Sequence, residues 1–459
     1  LMSARRIGWS VFAVLALIVV LVVLIVFSIS ACLPSSNAVP VLGFGAFSAL
    51  LCVFPATVYS IAWTAYLLHA QQDRPPYSLV GSPALARMVP YLPLAPLRCF
   101  KVAKATMSYL VSCLYYLPLA KEWLVTYVLY TRVRNQEDPI YDAIPYAIPF
   151  THQFLDVYPP PRKIREGTHA HNPDLTNFGT YRGAPVVILV PAPIVPVRIL
   201  SHRKTYLLIA TKLRAMGYCV VVPDIQYYPH VRIRQSIGDL RLALSWVGAH
   251  ISSYGGNPAN IYAMGFGLSA HLITISLVQE TTALSEAIAH HTAATMGLEG
   301  AEPTNGRLRQ KGLEIYLPQV RLPQLAGVVL VAGLSDVIKG YRHETEQGIE
   351  HLSYLRRWTG PSHAQCLLHS PAHLLMESKH VLDASFLPAK FLLIHGGMDT
   401  TIPLYDSALL RTLLNDAGVE DVKMRAYRNL KHFEALACLA DRYSPYARQV
   451  LTDVREFIS

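Results

Sequence analysis

The chain begins with a long apolar stretch in which no Asp, Glu, Lys or Arg occurs from Ile7 to Gln72. A bilayer-spanning helix needs about 20 apolar residues. Two candidate spans fit: about residues 7–32, built on the run VFAVLALIVVLVVLIVF, and about 39–68, with the turn-forming Pro34-Ser35-Ser36-Asn37 between them. The first apolar core is longer than the h-region of a signal peptide, so it reads as an uncleaved anchor. The second contains Gly43, Gly45 and Pro55, which membrane helices tolerate. The pattern predicts a transmembrane helical hairpin over residues 1–72; one span followed by a core segment is the alternative. Arg5 and Arg6 precede the first span, and Arg74, Arg87, Arg98, Lys101 and Lys104 follow the second, opposed by Asp73. Positive residues stay cytoplasmic, so a hairpin leaves both ends in the cytosol, whereas a single span places the remainder in a lumen. The expectation is an integral protein of an endomembrane such as the ER or Golgi, with a cytosolic globular part and the lipid bilayer as its partner.

Residues 73–150 are basic and rich in Pro and Tyr. Ala105 to Ala120 is apolar but short, and Lys121 and Glu122 interrupt it before Trp123 to Tyr130. This segment reads as an amphipathic helix lying in the membrane interface, with a third span as the alternative. From about residue 150 short β-branched runs alternate with helical stretches. Ala184 to Val190, Tyr218 to Val222, Asn260 to Met264, Gly327 to Ala332, Phe391 to His395 and Val422 to Tyr427 read as strands. Ser201 to Met216, Ser236 to Tyr254, Leu268 to Gln279 and a stretch near Phe433 to Phe457 read as helices. Continuous apolar strands separated by helices predict a mostly parallel sheet covered on both faces. Ligands then bind beyond the carboxyl ends of the strands.

Composition narrows the picture. With 52% hydrophobic and 15% charged residues the chain is neither disordered nor an ordinary soluble enzyme. The formal net charge of +10 suits an anionic membrane face or a nucleic acid. No nucleic-acid-binding signature accompanies it, so no nucleic acid is expected. The seven Cys are scattered and show no C-x-x-C pair. That argues against a disulfide framework and a zinc site, and neither a metal nor a cofactor is expected.

Ser253 to Leu272, SYGGNPANIYAMGFGLSAHL, reads as a helix end, a Gly-Gly turn, a strand, a sharp turn and a helix. That is the setting of the G-x-S-x-G nucleophile elbow of an α/β-hydrolase. The stretch resembles carboxylesterases of the isoprenylcysteine methylesterase type, whose pattern is SYGGDP, a strand, then M-G-Q-S-A-G-A-H. Met264, Gly265, Ala270 and His271 match. Val220 to Pro229 resembles the family's strand and D-Y-R-x-x-P turn, and Ala332 to His351 its cap entry. Ser370-Pro371, the FLLIHGGMDTTIP segment from Phe391 to Pro403, and Leu430-Lys431-His432-Phe433 match its later motifs. The resemblance covers about residues 180–459 and implies an α/β-hydrolase fold over 151–459, with a cap insertion at about 335–385. It implies carboxylic-ester hydrolysis on a lipophilic substrate, such as a prenylcysteine methyl ester.

The resemblance assigns Asp399 as the acid and His432 as the general base. It puts Gly267 at the nucleophile position, where there is no side chain to attack with. Ser269 falls at the second elbow glycine; it is the alternative nucleophile, and a small packing residue is the preferred reading. The family's H-G-G-x oxyanion segment is replaced by Val190-Pro191-Ala192-Pro193-Ile194, in which two donors are prolines. The N–H groups of Ala192 and Leu268 remain as oxyanion candidates. The expected result is an esterase-like site whose catalysis is weak or lost. A non-catalytic protein binding a lipophilic ester or acyl ligand and a membrane scaffold stand as alternatives, and the sequence names no protein partner.

Overall fold

The computed structural model describes residues 53–68, 92–115, 117–132, 140–147, 152–161, 183–193, 202–228, 230–295, 320–353, 355–360, 362–441 and 444–458. The predicted span 7–32 lies outside these, and of 39–68 only 53–68 is described, as a helix, α1. Among the described residues no helix is long and apolar enough to cross a membrane. Two compact units separate by contact. One holds the described residues up to Tyr115 with Tyr341–Tyr354; the other holds Tyr116–Gly340 with Leu355–Ser459.

In the first unit α1 packs against α2 (Pro96–Tyr115). Ala62, Ala65 and Tyr66 of α1 bury against Cys99 and Val102 of α2. The Tyr59 hydroxyl donates to the Leu94 carbonyl at 2.8 Å and the Trp63 indole to the Pro93 carbonyl at 2.9 Å. Arg98 pairs with Glu350, and Lys101 Nζ donates to the Glu346 carbonyl at 2.7 Å.

The second unit carries the sheet. In chain order its elements are α3 (Leu117–Arg132), β1 (Tyr141–Pro145), β2 (Phe154–Tyr158), β3 (Ala184–Val190), α4 (Leu207–Ala215), β4 (Cys219–Pro223), α5 (Ile233–His250), β5 (Gly256–Phe266), α6 (Leu268–Thr295) and β6 (Gly327–Val331). Next come the start of α7 (Val337–Gln347), which from Tyr341 onward belongs to the first unit, then α8 (Leu355–Thr359), α9 (His363–Leu368), α10 (Pro371–Ser378), β7 (Lys390–Gly396), α11 (Leu404–Asp416), β8 (Asp421–Tyr427), α12 (His432–Ala437) and α13 (Ala447–Ile458). The strand order is β1-β2-β4-β3-β5-β6-β7-β8. β3 to β8 pair in parallel, and the antiparallel pair β1–β2 joins at the β4 edge. This is the mostly parallel α/β sheet that the apolar runs predict.

Alternate residues of each strand feed two cores, as the two-residue period of a strand requires. Ile261 and Ala263 of β5, with Ile188, Leu330 and Leu393, face α5, α6, α10 and α11. Tyr262, Met264 and Phe266, with Leu189, Val331 and Ile394, face α4, α12 and α13. Both faces of the sheet are therefore sealed, and only its ends can reach a ligand. β5 lies between β3 and β6 and α6 follows it directly, so the turn at Gly267 opens at the carboxyl edge of the central strand. The first half of α6 is buried around its circumference, Ser269 to Thr282 included. The hydroxyls of Thr274, Ser276 and Thr282 there donate to carbonyls four residues back, which satisfies them without water.

Three elements differ from the sequence pattern. β1 starts inside the stretch expected to lie at a membrane interface, because a short edge strand needs no continuous apolar run. The stretch expected as one helix from Phe433 to Phe457 is two helices, α12 and α13, with a turn between them. The predicted helix Ser201 to Met216 begins as a 3-10 turn at Arg203–Tyr206 before α4. Its first residue, Arg203, is held between Asp156 and Asp224 and cannot be turned outward.

Candidate functional site

Asp399 follows β7 and His432 opens α12 after the adjacent β8, so both stand at the carboxyl edge of the sheet. The two loops are stitched together by their backbones. Gly397 N–H donates to the Tyr427 carbonyl at 2.8 Å and Met398 N–H to the Leu430 carbonyl at 3.1 Å. This approach requires glycine. A Cβ on Gly397 would lie 2.6 Å from the Arg428 carbonyl oxygen, and one on Gly396 would run into that of Leu430. Gly396→Ala should therefore push the loop carrying His432 off the sheet and lower stability by about 1–3 kcal/mol, the usual cost of forced overpacking. Chemical denaturation checks the loss.

Asp399 Oδ2 accepts from His432 Nδ1 at 2.6 Å. Asp399 Oδ1 accepts from the N–H groups of Thr401 and Ile402 at 2.8 and 2.9 Å. Burial opposes its ionisation, but the neighbouring His432 and His395 and these donors outweigh it and hold the carboxyl well below the usual carboxylate range. A carboxylate fixed on Nδ1–H leaves Nε2 of a neutral His432 as the free base. The imidazole lies between Phe266 and Phe433, with ring centroids 4.7 and 5.2 Å away.

Nε2 points at Gly267. A Cβ built on Gly267 would sit 3.6 Å from it and meet nothing closer. Gly267 has φ +55°, the left-handed backbone of a sharp strand-to-helix turn. Its N–H donates to the Val331 carbonyl at 2.9 Å, and its own carbonyl accepts from His271 N–H at 3.1 Å, so both ends of the turn are tied. Leu268 is the first residue of α6, and the N–H groups of a first helical turn have no partner within the helix.

Ser269 is fully buried. Its hydroxyl donates to the Phe266 carbonyl at 3.0 Å and accepts from the Phe266 N–H at 2.9 Å, bracing the turn from inside. Ala192, two residues beyond β3, is buried as well. Its N–H, an oxyanion candidate by sequence, instead donates to the Tyr206 hydroxyl at 2.8 Å. The structure thus brings Asp399, His432 and Gly267 together, with Leu268 beside them, and commits Ser269 and Ala192 to other partners.

His395 and Tyr206 are additions that sequence reasoning did not single out. The His395 imidazole is buried beneath Asp399, with Nε2 3.5 Å from Oδ2. The Ile402 carbonyl 2.8 Å from Nε2 can only accept, so Nε2 carries a proton, while Nδ1 shares a hydrogen bond of 2.7 Å with the Ser407 hydroxyl. His395 therefore ties the two ends of the Asp399 turn. It stands in the same FLLIHGGMD segment as Asp399, so the signal was present. Tyr206 had no local signal, because its partner lies 14 residues away along the chain. Among the described residues no three His, Cys, Asp or Glu side chains converge as metal ligands.

A family model described as BD-FAE matches residues 201–414. Among solved structures, the phosphonate-inhibited esterase B from Lactobacillus rhamnosis is 16% identical, with 78% of this chain and 94% of that chain covered and a TM-score of 0.48. The propionate-bound esterase 2 from Thermogutta terrifontis is 13% identical over 70% of this chain and 94% of that one, with a TM-score of 0.43. The acetyl ester-xyloside bifunctional hydrolase from Caldicellulosiruptor lactoaceticus is 15% identical over 70% and 97%, with a TM-score of 0.45. No curated protein matches the chain. The mostly parallel sheet of the second unit, with helices on both faces, fits an α/β-hydrolase fold, and the family match falls within it.

Proposed function

We propose that this site descends from a serine carboxylesterase and takes a lipophilic ester or acyl ligand, of the prenylcysteine methyl ester kind, without forming an acyl-enzyme. One observation carries the reading. The direction in which a nucleophile would project from the turn leads to His432 Nε2 at 3.6 Å, and the residue there is Gly267. The general base and its orienting acid are in hydrogen-bonded contact, but there is no oxygen for the base to deprotonate. The hydroxyl of Ser269 is spent on the Phe266 backbone, which disfavours the reading of an active serine esterase. The engagement of Ala192 N–H by Tyr206 removes a further expected catalytic donor. The aromatic walls of His432 and the apolar run from Ile7 to Gln72, which we read as a membrane anchor placing the domain on the cytosolic side of an endomembrane, both suit a lipophilic ligand.

The test is intact-mass analysis of the full chain after treatment with an alkyl fluorophosphonate, together with equilibrium dialysis of a prenylcysteine methyl ester. The expected result is no covalent adduct, with ester binding that His432→Trp abolishes by filling the space over Gly267. An adduct on the wild-type chain that Ser269→Ala removes would overturn the proposal, as would absence of ester binding.

A further inference from the structure

We propose that α2 lies in the plane of an anionic lipid surface and buries one of its faces between the headgroups. This placement is carried by the first unit alone and does not depend on the hydrolase site. At 3.6 residues per turn, positions 97, 100, 107, 110, 111 and 114 fall on one stripe of the helix. They are Leu97, Phe100, Met107, Leu110, Val111 and Leu114, and each is about half or more exposed, Leu97 and Leu114 by 68% and 67%. The opposite side of the helix is committed, through Cys99 and Val102, to α1. An arc of large apolar side chains facing water over a 20-residue helix, interrupted by Lys104, is a surface built for a partner.

The charge pattern selects which partner. α2 carries Arg98, which pairs with Glu350, together with Lys101 and Lys104, and has no carboxylate of its own. Both lysines are exposed: Lys104 projects from within the apolar stripe, and Lys101, whose Nζ donates to the Glu346 carbonyl, borders it. The buried centres of protein–protein interfaces exclude lysine. A helix with an apolar face that carries a lysine suits the boundary between acyl chains and anionic headgroups, where the long stem of Lys104 runs along the apolar layer and its ammonium group reaches phosphate. In the chain, α2 follows the uncharged sequence from Ile7 to Gln72, whose insertion would hold α2 at a bilayer. The shared chemistry is therefore an in-plane amphipathic helix on an anionic bilayer.

The experiment uses the full chain in phosphatidylcholine vesicles with phosphatidylserine and a trace of lipid bearing a diazirine in its acyl chain. Irradiation is followed by peptide mapping of the lipid adducts. The expected result is adducts on the stripe residues of Pro96–Tyr115, lost in the variant carrying Leu97→Gln, Phe100→Gln and Leu110→Gln. Their yield should fall roughly fivefold or more in vesicles of phosphatidylcholine alone, since each lysine near an anionic surface contributes about that factor. Adducts confined to other parts of the wild-type chain would overturn the proposal. So would a yield indifferent to phosphatidylserine, or a stable self-associated form that the triple variant disperses and that forms no adducts on this helix.

Discussion

Gly267→Ser should give the chain a covalent reactivity towards fluorophosphonates that the wild type lacks. The serine Cβ takes the open position 3.6 Å from His432 Nε2, and its hydroxyl, one bond further out, comes within hydrogen-bond reach of the base. Nothing else need move, because Asp399 already holds the Nδ1 side of the ring at 2.6 Å. A positioned base contributes about 100- to 10,000-fold to such a step, so His432→Ala in the Gly267→Ser background should lower the labelling rate by at least the smaller factor. Turnover of a soluble ester should appear but stay slow, because the Ala192 N–H is occupied by Tyr206 and the Leu268 N–H remains as the donor. The variant also places a side chain at φ +55°, at a cost of about 1–2 kcal/mol in stability. Labelling kinetics followed by intact mass measure the effect. A folded Gly267→Ser protein that labels no faster than wild type would mean that the register placing Gly267 at the nucleophile position is wrong.

The parts of this arrangement that were legible in the sequence share a cause. β3, β4, β6 and β7 are apolar runs bounded by turn residues, so burial on both faces of a sheet is written directly into each. Asp399, His432 and the turn at Gly267 sit at the ends of such runs, where an α/β sheet exposes its chemistry. What escaped notice depends on partners distant along the chain. Ser269 and Ala192 each offer a polar group by sequence, and nothing local says that Phe266 takes the first and Tyr206 the second. β1 carries polar residues because it is the edge strand and stands largely exposed, whereas β2 is paired on both sides and its Asp156 is buried against Arg203, 47 residues away. Between α12 and α13, Cys438 and Leu439 are buried in the core on one face of the sheet, a contact that no local signal announces.

Acidification from pH 7 to pH 5 should remove a large share of the stability of the second unit through two histidines remote from Asp399. His271 is fully buried in the first turn of α6, with its Nδ1–H on the Leu334 carbonyl at 2.9 Å and its ring against Trp358. His369, between α9 and α10, is nearly as buried. Burial pushes both down to about 4 from an ordinary value of 6.5, against backbone bonds that favour the cation. The unfolded chain therefore takes up a proton at each as pH falls below 6.5, while the folded protein does not until about 4. Stability is fully present above 6.5 and is lost progressively between 6.5 and 4. Each site should lose about 2 kcal/mol by pH 5, because every tenfold difference in proton affinity between the folded and unfolded chain is worth about 1.4 kcal/mol. Together they account for a large fraction of the roughly 5–15 kcal/mol that holds an ordinary domain. Below about pH 4 Asp399 adds to the decline, because its carboxyl is held down in the folded state and the unfolded chain is protonated first. Urea unfolding midpoints across pH 7 to 4.5 test this, with the slope against pH as the readout. In His271→Leu and in His369→Leu the loss between pH 7 and pH 5 should shrink by about 2 kcal/mol, whatever either substitution costs at pH 7. Slopes equal to wild type in both variants would show that the acid sensitivity arises elsewhere and that these rings are not held neutral by burial.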